Sequence, residues 1–254
     1  AGIVALHVVL LIIAFTFVAL TCRAAGADDG TTGLFLLVGV IACEMRCEAR
    51  PELLSLAFLA ALLYLCTRRA VGLGSPLWLL PILLILWVNS HSFFILGWGV
   101  LGLFLLAELL THRRLDKALL RWTLMAVCVC FLNPYGYRGV LFPLTLLTRF
   151  DQGNVFSQTI GELCSPFSIR TTAQMPFFPH VPIYAFRLLA VLSVISWIPL
   201  WRERKYRDIL LSVVFLLISS KMLRNMPLFV VAALPGLAAS MKLPDLLARV
   251  LPNR

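Results

Sequence analysis

Apolar residues fall in nine runs along the chain, at 2–21, 33–43, 53–66, 77–88, 93–110, 118–132, 183–200, 209–220 and 226–240. Short charged or turn-rich clusters separate them. A helix crossing the hydrocarbon core of a bilayer needs about 20 apolar residues. Inside a bilayer only helices and closed barrels satisfy their own backbone polar groups. The pattern therefore predicts an all-α integral membrane protein with about nine transmembrane or partly spanning helices. The shorter runs predict helices that extend into their flanks or are shielded by neighbours. A further patch, 139–147, contains Pro143 and reads as too short and broken to span. The longest non-apolar stretch, 133–182, carries Pro166, Pro176, Pro179 and Pro182. It predicts one long outer loop, ordered, with a short helix or two. No internal repeat divides the chain, so residues 1–254 read as a single transmembrane domain. The chain starts at Ala1 and not at Met, which suggests the C-terminal part of a longer chain.

Composition agrees. Of 254 residues, 61% are hydrophobic and only 13% charged, far from the balance of a soluble domain. The net charge of +10 would suggest nucleic acid in a soluble protein, but here its distribution reads as topology. With loops alternating between sides, fourteen Lys and Arg gather on the side of 111–121 and eight on the other. The positive-inside rule makes the first side cytoplasmic. The expectation is a multi-pass protein of the bacterial inner (plasma) membrane, with its N-terminus outside, its C-terminus inside and 133–182 outside. The lipid bilayer is its partner, and nucleic acid is not. Cys22, Cys43, Cys66, Cys128 and Cys130 lie in or beside apolar runs, where cysteine serves as a small hydrophobe.

The inside loops read as plain basic connectors. The outer clusters are chemically mixed. In 44–52, Glu44 and Glu48 stand four apart and would share one helix face beside Arg46 and Arg50. Such a carboxylate pair could act as a base or hold a divalent metal. Its bland counterpart is a solvated turn, with Pro51 and Glu52 opening the next helix. In Trp87–His91, Trp87 is an interfacial anchor. Asn89 and His91 are candidates for hydrogen bonding or proton transfer at the water boundary, against a simple cap and turn. Asn133-Pro134-Tyr135-Gly136 is a turn signal, and the Arg138 after it could face a phosphate. Glu162 is a loop carboxylate placed as a base would be. Arg224 and Asn225 sit in a basic connector on the side where the charge rule asks for none, which favours a phosphate-binding role. The nucleotide-binding, zinc-protease and serine-hydrolase motifs are absent.

Arg50-Pro51-Glu52, Trp87-Val88-Asn89-x-His91, Asn133-Pro134-Tyr135-Gly136 and Arg224-Asn225-Met226-Pro227-Leu228-Phe229 occur in this order. The series resembles a family of large bacterial polytopic membrane proteins, itself similar to the C-type (GT-C) membrane glycosyltransferases. The likeness runs from about residue 40 to 240. It implies an enzyme that takes a sugar from a polyprenyl-phosphate donor at the outer face, with its catalytic carboxylate in the first outer loop. No catalytic residue is carried over from that superfamily. Glu44, Glu48, Glu162 and His91 are catalytic candidates by position and chemistry. Arg50, Asn89, Arg138, Arg224 and Asn225 are candidates for the substrate. The alternatives are a non-catalytic transmembrane subunit of a larger complex, with other membrane subunits as partners and a pigment or haem, and a transporter.

Overall fold

The computed structural model describes residues 2–46, 50–149, 161–168 and 180–242. The described residues are helical, in ten α-helices and three single 3₁₀ turns. The helices are α1 Gly2–Ala24, α2 Asp29–Cys43, α3 Glu52–Ala70, α4 Leu79–Val88, α5 Phe94–His112, α6 Lys117–Val129, α7 Tyr137–Arg149, α8 His180–Arg202, α9 Tyr206–Ser219 and α10 Met226–Ser240. The 3₁₀ turns are Glu44–Arg46, Gly161–Leu163 and Leu223–Asn225.

Each of the nine apolar runs forms the body of a helix, but the helices fall into two length classes. Among the described residues five segments are long and apolar enough to cross a membrane: α1, α3, α5, α8, and α10 with the turn before it, Leu223–Ser240. The chain is that of a polytopic membrane protein. The other runs form α2, α4, α6 and α9, of 15, 10, 13 and 14 residues. At 1.5 Å per residue, the ten residues of α4 extend only about 15 Å. The nine runs are thus nine helices, of which five have spanning length. The tenth helix, α7, runs through Pro143. Leu141, Phe142 and Leu144 are exposed on it, and a helix so open to its surroundings can leave the carbonyl freed by proline outside any packed core. Within 133–182, α7, the turn at Gly161–Leu163, residues 164–168 and the start of α8 are described. The expectation of one continuous outer loop otherwise falls outside the described residues.

The central post is α10. Every residue from Met226 to Ala239 is buried, and it packs against α1, α2, α3, α8 and α9. Its small residues, Ala232, Ala233, Gly236, Ala238 and Ala239, let those neighbours close in, as small residues do between membrane helices. The approach is close at Gly39 of α2, where a Cβ would stand 2.8 Å from Leu234 Cδ1 and 2.9 Å from Val230 Cγ1, and closer still at Gly236, where a Cβ would stand 2.6 Å from Asp208 Cβ of α9. By contrast α1 rests on α3 and leaves Ile3, Val4, Leu6, Val9 and Ile12 exposed.

Apart from α7, which starts at the same end as α8, the helices alternate in direction, so their connections gather at two ends. At one end Arg69 pairs with Asp116 at 2.6 Å. Ala25, Val71, His112 and Arg204 there line one small cavity of about 200 Å³. Asp116 caps α6 by accepting from the Ala118 and Leu119 amides. Arg69 holds the Asp116 carboxyl below its usual range through their hydrogen bond. The other end carries 44–46, 50–52, 89–93, 133–138, 161–168 and 220–225. It is joined by Leu223 N donating to Cys164 O at 2.8 Å and by Ser165 Oγ donating to Ser220 O at 2.7 Å. The mixed clusters of the sequence thus share one end of the bundle.

Candidate functional site

The chemistry of this end divides into a ligand-sized pocket and an ion-pair cluster, with His91 between them. The pocket, about 550 Å³, lies where the loop after α4 meets the turn before α7. Asn89, Ser90, His91, Ser92, Asn133 and Arg138 supply its polar lining, while Val88, Phe94 and Phe142 supply apolar walls. Three predicted candidates from two separate motifs, Asn89, His91 and Arg138, therefore meet in one cavity.

The walls are built by local rules. Tyr135 N donates to Asn133 Oδ1 at 2.9 Å, which makes an Asx turn. Asn133 Nδ2 donates to Cys130 O and Gly136 O at 2.9 and 2.8 Å. The Asn133 amide lies so close to Gly139 that a side chain at 139 would overlap it. On the facing wall, Asn89 Nδ2 donates to Ile85 O at 2.8 Å and Ser90 Oγ to Leu86 O at 2.7 Å. Both close the last turn of α4.

His91 is held by a chain of donors. Trp87, fully buried, donates from Nε1 to Ser55 Oγ at 2.8 Å. Ser55 Oγ lies 2.9 Å from His91 Nδ1. Phe93 N donates to the same nitrogen at 3.3 Å. With its lone pair facing the indole, the Ser55 hydroxyl has its proton free for Nδ1. Two donors on Nδ1 make it the acceptor, which puts the proton of the neutral ring on Nε2. Burial lowers the His91 pKa from its ordinary 6.5, and the nearby Arg224 works the same way against the opposing pull of Glu52. His91 is thus a neutral ring offering an Nε2–H, and Nε2 has no partner among the described residues. In this tautomer the nitrogen left for a ligand, Nε2, is a hydrogen-bond donor.

Arg138 is exposed. Its Nε lies 3.4 Å from the Tyr137 hydroxyl and its guanidinium 5.9 Å from the Tyr137 ring. No carboxylate pairs with it among the described residues. Among the described residues the pocket therefore combines a cation without a carboxylate partner, a neutral N–H donor and small polar groups, with no acid in its lining. That is a setting for an anionic, oxygen-rich ligand.

Behind His91 lies the ion-pair cluster. The Arg46 side chain is only 7% exposed and bridges Glu52 at 2.6 Å and Glu162. Arg50 pairs with Glu162 at 3.0 Å. Burial raises the Glu162 pKa, but the hydrogen bonds and charges of Arg46 and Arg50 outweigh it and hold the carboxyl below its usual range. Glu162 is thus a counter-ion to two arginines and a weak base. Glu44 is exposed and makes no ion pair among the described residues. Glu48 lies outside the described residues, so the predicted Glu44–Glu48 face does too. Arg224 lies over the Phe93 ring at 5.6 Å, which brings it to the rear of His91. Asn225 donates to Ile218 O at 3.2 Å, and its carbonyl accepts from Ser219 Oγ at 2.7 Å. Its groups tie α9 to α10.

No family model, no curated protein and no solved structure matches this chain. The reading of the site rests on its own geometry. Among the described residues no three His, Cys, Asp or Glu side chains are grouped as a metal site. The sequence missed Ser55, which sits inside an apolar run, and underrated Arg46 and Glu52, which read there as surface charge. The signal that could have found Ser55 was a hydroxyl early in a helix otherwise lined by leucine and alanine.

Proposed function

We propose that this protein binds a polyprenyl-phosphate-linked sugar in the 89–138 pocket and transfers the sugar, in the manner of the C-type membrane glycosyltransferases, at the outer face of the inner membrane. One observation carries the reading: Arg138, without a carboxylate partner among the described residues, shares a cavity with His91. The guanidinium answers the phosphate, and His91 donates to a phosphate or sugar oxygen. Asn89, Ser90 and Ser92 offer hydrogen bonds to hydroxyls. The exposed Leu141, Phe142 and Leu144 of α7, next to Arg138, make the pattern of a helix lying at a membrane interface. That would set the pocket at headgroup depth, where a lipid-borne phosphate is found. The charge distribution supports this end as the outer one, with the N-terminus on that side and the C-terminus in the cytoplasm.

Among the described carboxylates of this end, Glu52 and Glu162 are held in ion pairs and Glu44 is not. Glu44 is therefore the base assigned to the acceptor hydroxyl. The test uses purified protein and a radiolabelled polyprenyl-phosphate sugar. Arg138→Gln should weaken donor binding about tenfold, as the loss of one charge-assisted contact does. Glu44→Gln should abolish transfer and leave donor binding intact. Wild-type protein that neither binds nor transfers the donor overturns the reading.

The exposed face of α1 favours a second reading, a subunit packed against other membrane chains. Gentle extraction distinguishes the two: a stable assembly that covers α1 supports the subunit reading.

A further inference from the structure

A second cavity lies away from this site. It is a groove of about 580 Å³ between α1, α3 and α4. Ile13 and Phe17 form one wall, Ala57 and Ala61 the floor, and Ile82 and Leu86 the other wall. Ile82 and Leu86 are 46% and 54% exposed, so the groove opens sideways from the bundle. Along α3 it runs from Leu54 to Arg68, about 21 Å at 1.5 Å per residue. That is the reach of an extended acyl chain. All its lining is apolar except Tyr64 and Arg68, and both stand toward the Arg69–Asp116 end of the bundle.

Arg68 gives the groove a polar terminus. Its Nε donates to Gly74 O at 3.1 Å, its Nη1 to the Tyr64 hydroxyl at 3.1 Å and its Nη2 to Leu73 O at 3.3 Å. These three acceptors orient the guanidinium, and none carries a charge. A guanidinium has five N–H groups, so two remain. No carboxylate pairs with Arg68 among the described residues, whereas its neighbour Arg69 pairs with Asp116. Trp78, 53% exposed, follows Pro76 of the groove lining, and tryptophan marks a membrane boundary. An open apolar slot of acyl-chain length, ending at that boundary in a fixed cation without a carboxylate partner among the described residues, matches one kind of occupant. It needs a hydrocarbon chain joined to an anionic group.

We propose that this groove binds an acyl chain of an anionic phospholipid from the leaflet at that end, with the lipid phosphate on Arg68. The chain displaces no packed side chain, and the phosphate supplies the missing counter-charge. The site is separate from the sugar pocket and does not depend on the transfer reading.

The experiment is native mass spectrometry of the whole chain in mild detergent, titrated with phosphatidylglycerol and with phosphatidylcholine. Wild-type protein should retain one phospholipid and prefer phosphatidylglycerol. Arg68→Gln should weaken phosphatidylglycerol binding about tenfold and remove the preference, while Arg68→Lys keeps part of it. Ile82→Trp, on the exposed wall, should obstruct the slot and weaken both lipids. Ile82 is half exposed, so this change leaves the packed core intact, and an unchanged thermal melt verifies that. Phosphatidylglycerol preference surviving in Arg68→Gln, unchanged binding in Ile82→Trp, or a polyprenyl phosphate displacing the phospholipid from the groove would each overturn the proposal.

Discussion

Ser55 Oγ lies 2.9 Å from His91 Nδ1, although 36 residues separate them. Ser55 belongs to the first turns of α3 and His91 to the loop after α4, and Trp87 donates to the same hydroxyl from the last turn of α4. The serine therefore links the packing of the bundle to the protonation of the pocket. Its oxygen accepts from the buried indole and its proton fixes the imidazole tautomer.

Ser55→Ala removes both functions. It leaves the fully buried Trp87 N–H without an acceptor, which costs about 1–3 kcal/mol. The melting temperature should fall. The double variant Ser55→Ala/Trp87→Phe should cost less than the two single changes together, because the orphaned donor is gone. In the ¹⁵N spectrum of labelled histidine, wild-type His91 should show the Nε2–H form alone, and Ser55→Ala should show both tautomers. Equal spectra would disprove the link.

The Arg46–Glu162 pair fastens the turn at Gly161–Leu163 to the end of α2. Glu162 has a folded pKa below its ordinary 4.5. Its ion pairs therefore stabilise the fold fully above that ordinary value, and the contribution is lost as pH falls through the depressed folded value. Thermal melts should show a loss of stability on acidification that begins near pH 4.5 and continues below it. Both carboxylates of the cluster are partly exposed, so the contribution at neutral pH is about 1 kcal/mol. Glu162→Gln should lower stability by that amount at pH 7 and flatten the acid dependence. Hydrogen exchange in 161–168 should quicken in the variant at neutral pH.

Much of this was legible in the sequence because apolar runs in a membrane protein have one outcome, the helix. The alternation of helices up to α6 then brings the connections after α2, α4 and α6 to one end, so Asn89, His91 and Arg138 meet without any local signal that they should. What could not be read depends on partners distant in sequence. Arg46 sits among charges in 44–52 and reads as solvated, yet it is buried against Glu162, 116 residues away. Glu162 reads as a lone loop acid for the same reason. Ser55 looks like one small residue in an apolar helix until Trp87 and His91 arrive from the next hairpin. Pro143 reads as a break, but α7 carries it on an open helix where a lost amide costs little.

Gly139 offers a steric test of the pocket. The Asn133 side chain above it cannot swing away, since it is tied to Cys130 O, Gly136 O and Tyr135 N. Gly139→Ala must therefore displace the turn itself, at a cost of about 1–3 kcal/mol. The pocket wall shifts with it, so donor binding should weaken by more than the fall in melting temperature alone would produce. Asn133→Ala in the Gly139→Ala background should recover part of the lost stability. No recovery would place the strain elsewhere.

His91 carries a prediction in which stability and binding move oppositely. Its folded pKa lies below the ordinary 6.5, chiefly through burial. The unfolded chain therefore takes up a proton first as pH falls. Stability is full above about pH 6.5 and declines below it until the folded ring is also protonated. An anionic ligand at Nε2 reverses the preference, because it favours the imidazolium. Binding of a polyprenyl phosphate should tighten over the same interval in which the free protein loses stability. His91→Gln should abolish both slopes and keep the hydrogen-bonding capacity of the side chain. Melting temperature and donor affinity, each measured from about pH 5 to 8, give the two curves. If both move in the same direction, His91 does not face the phosphate.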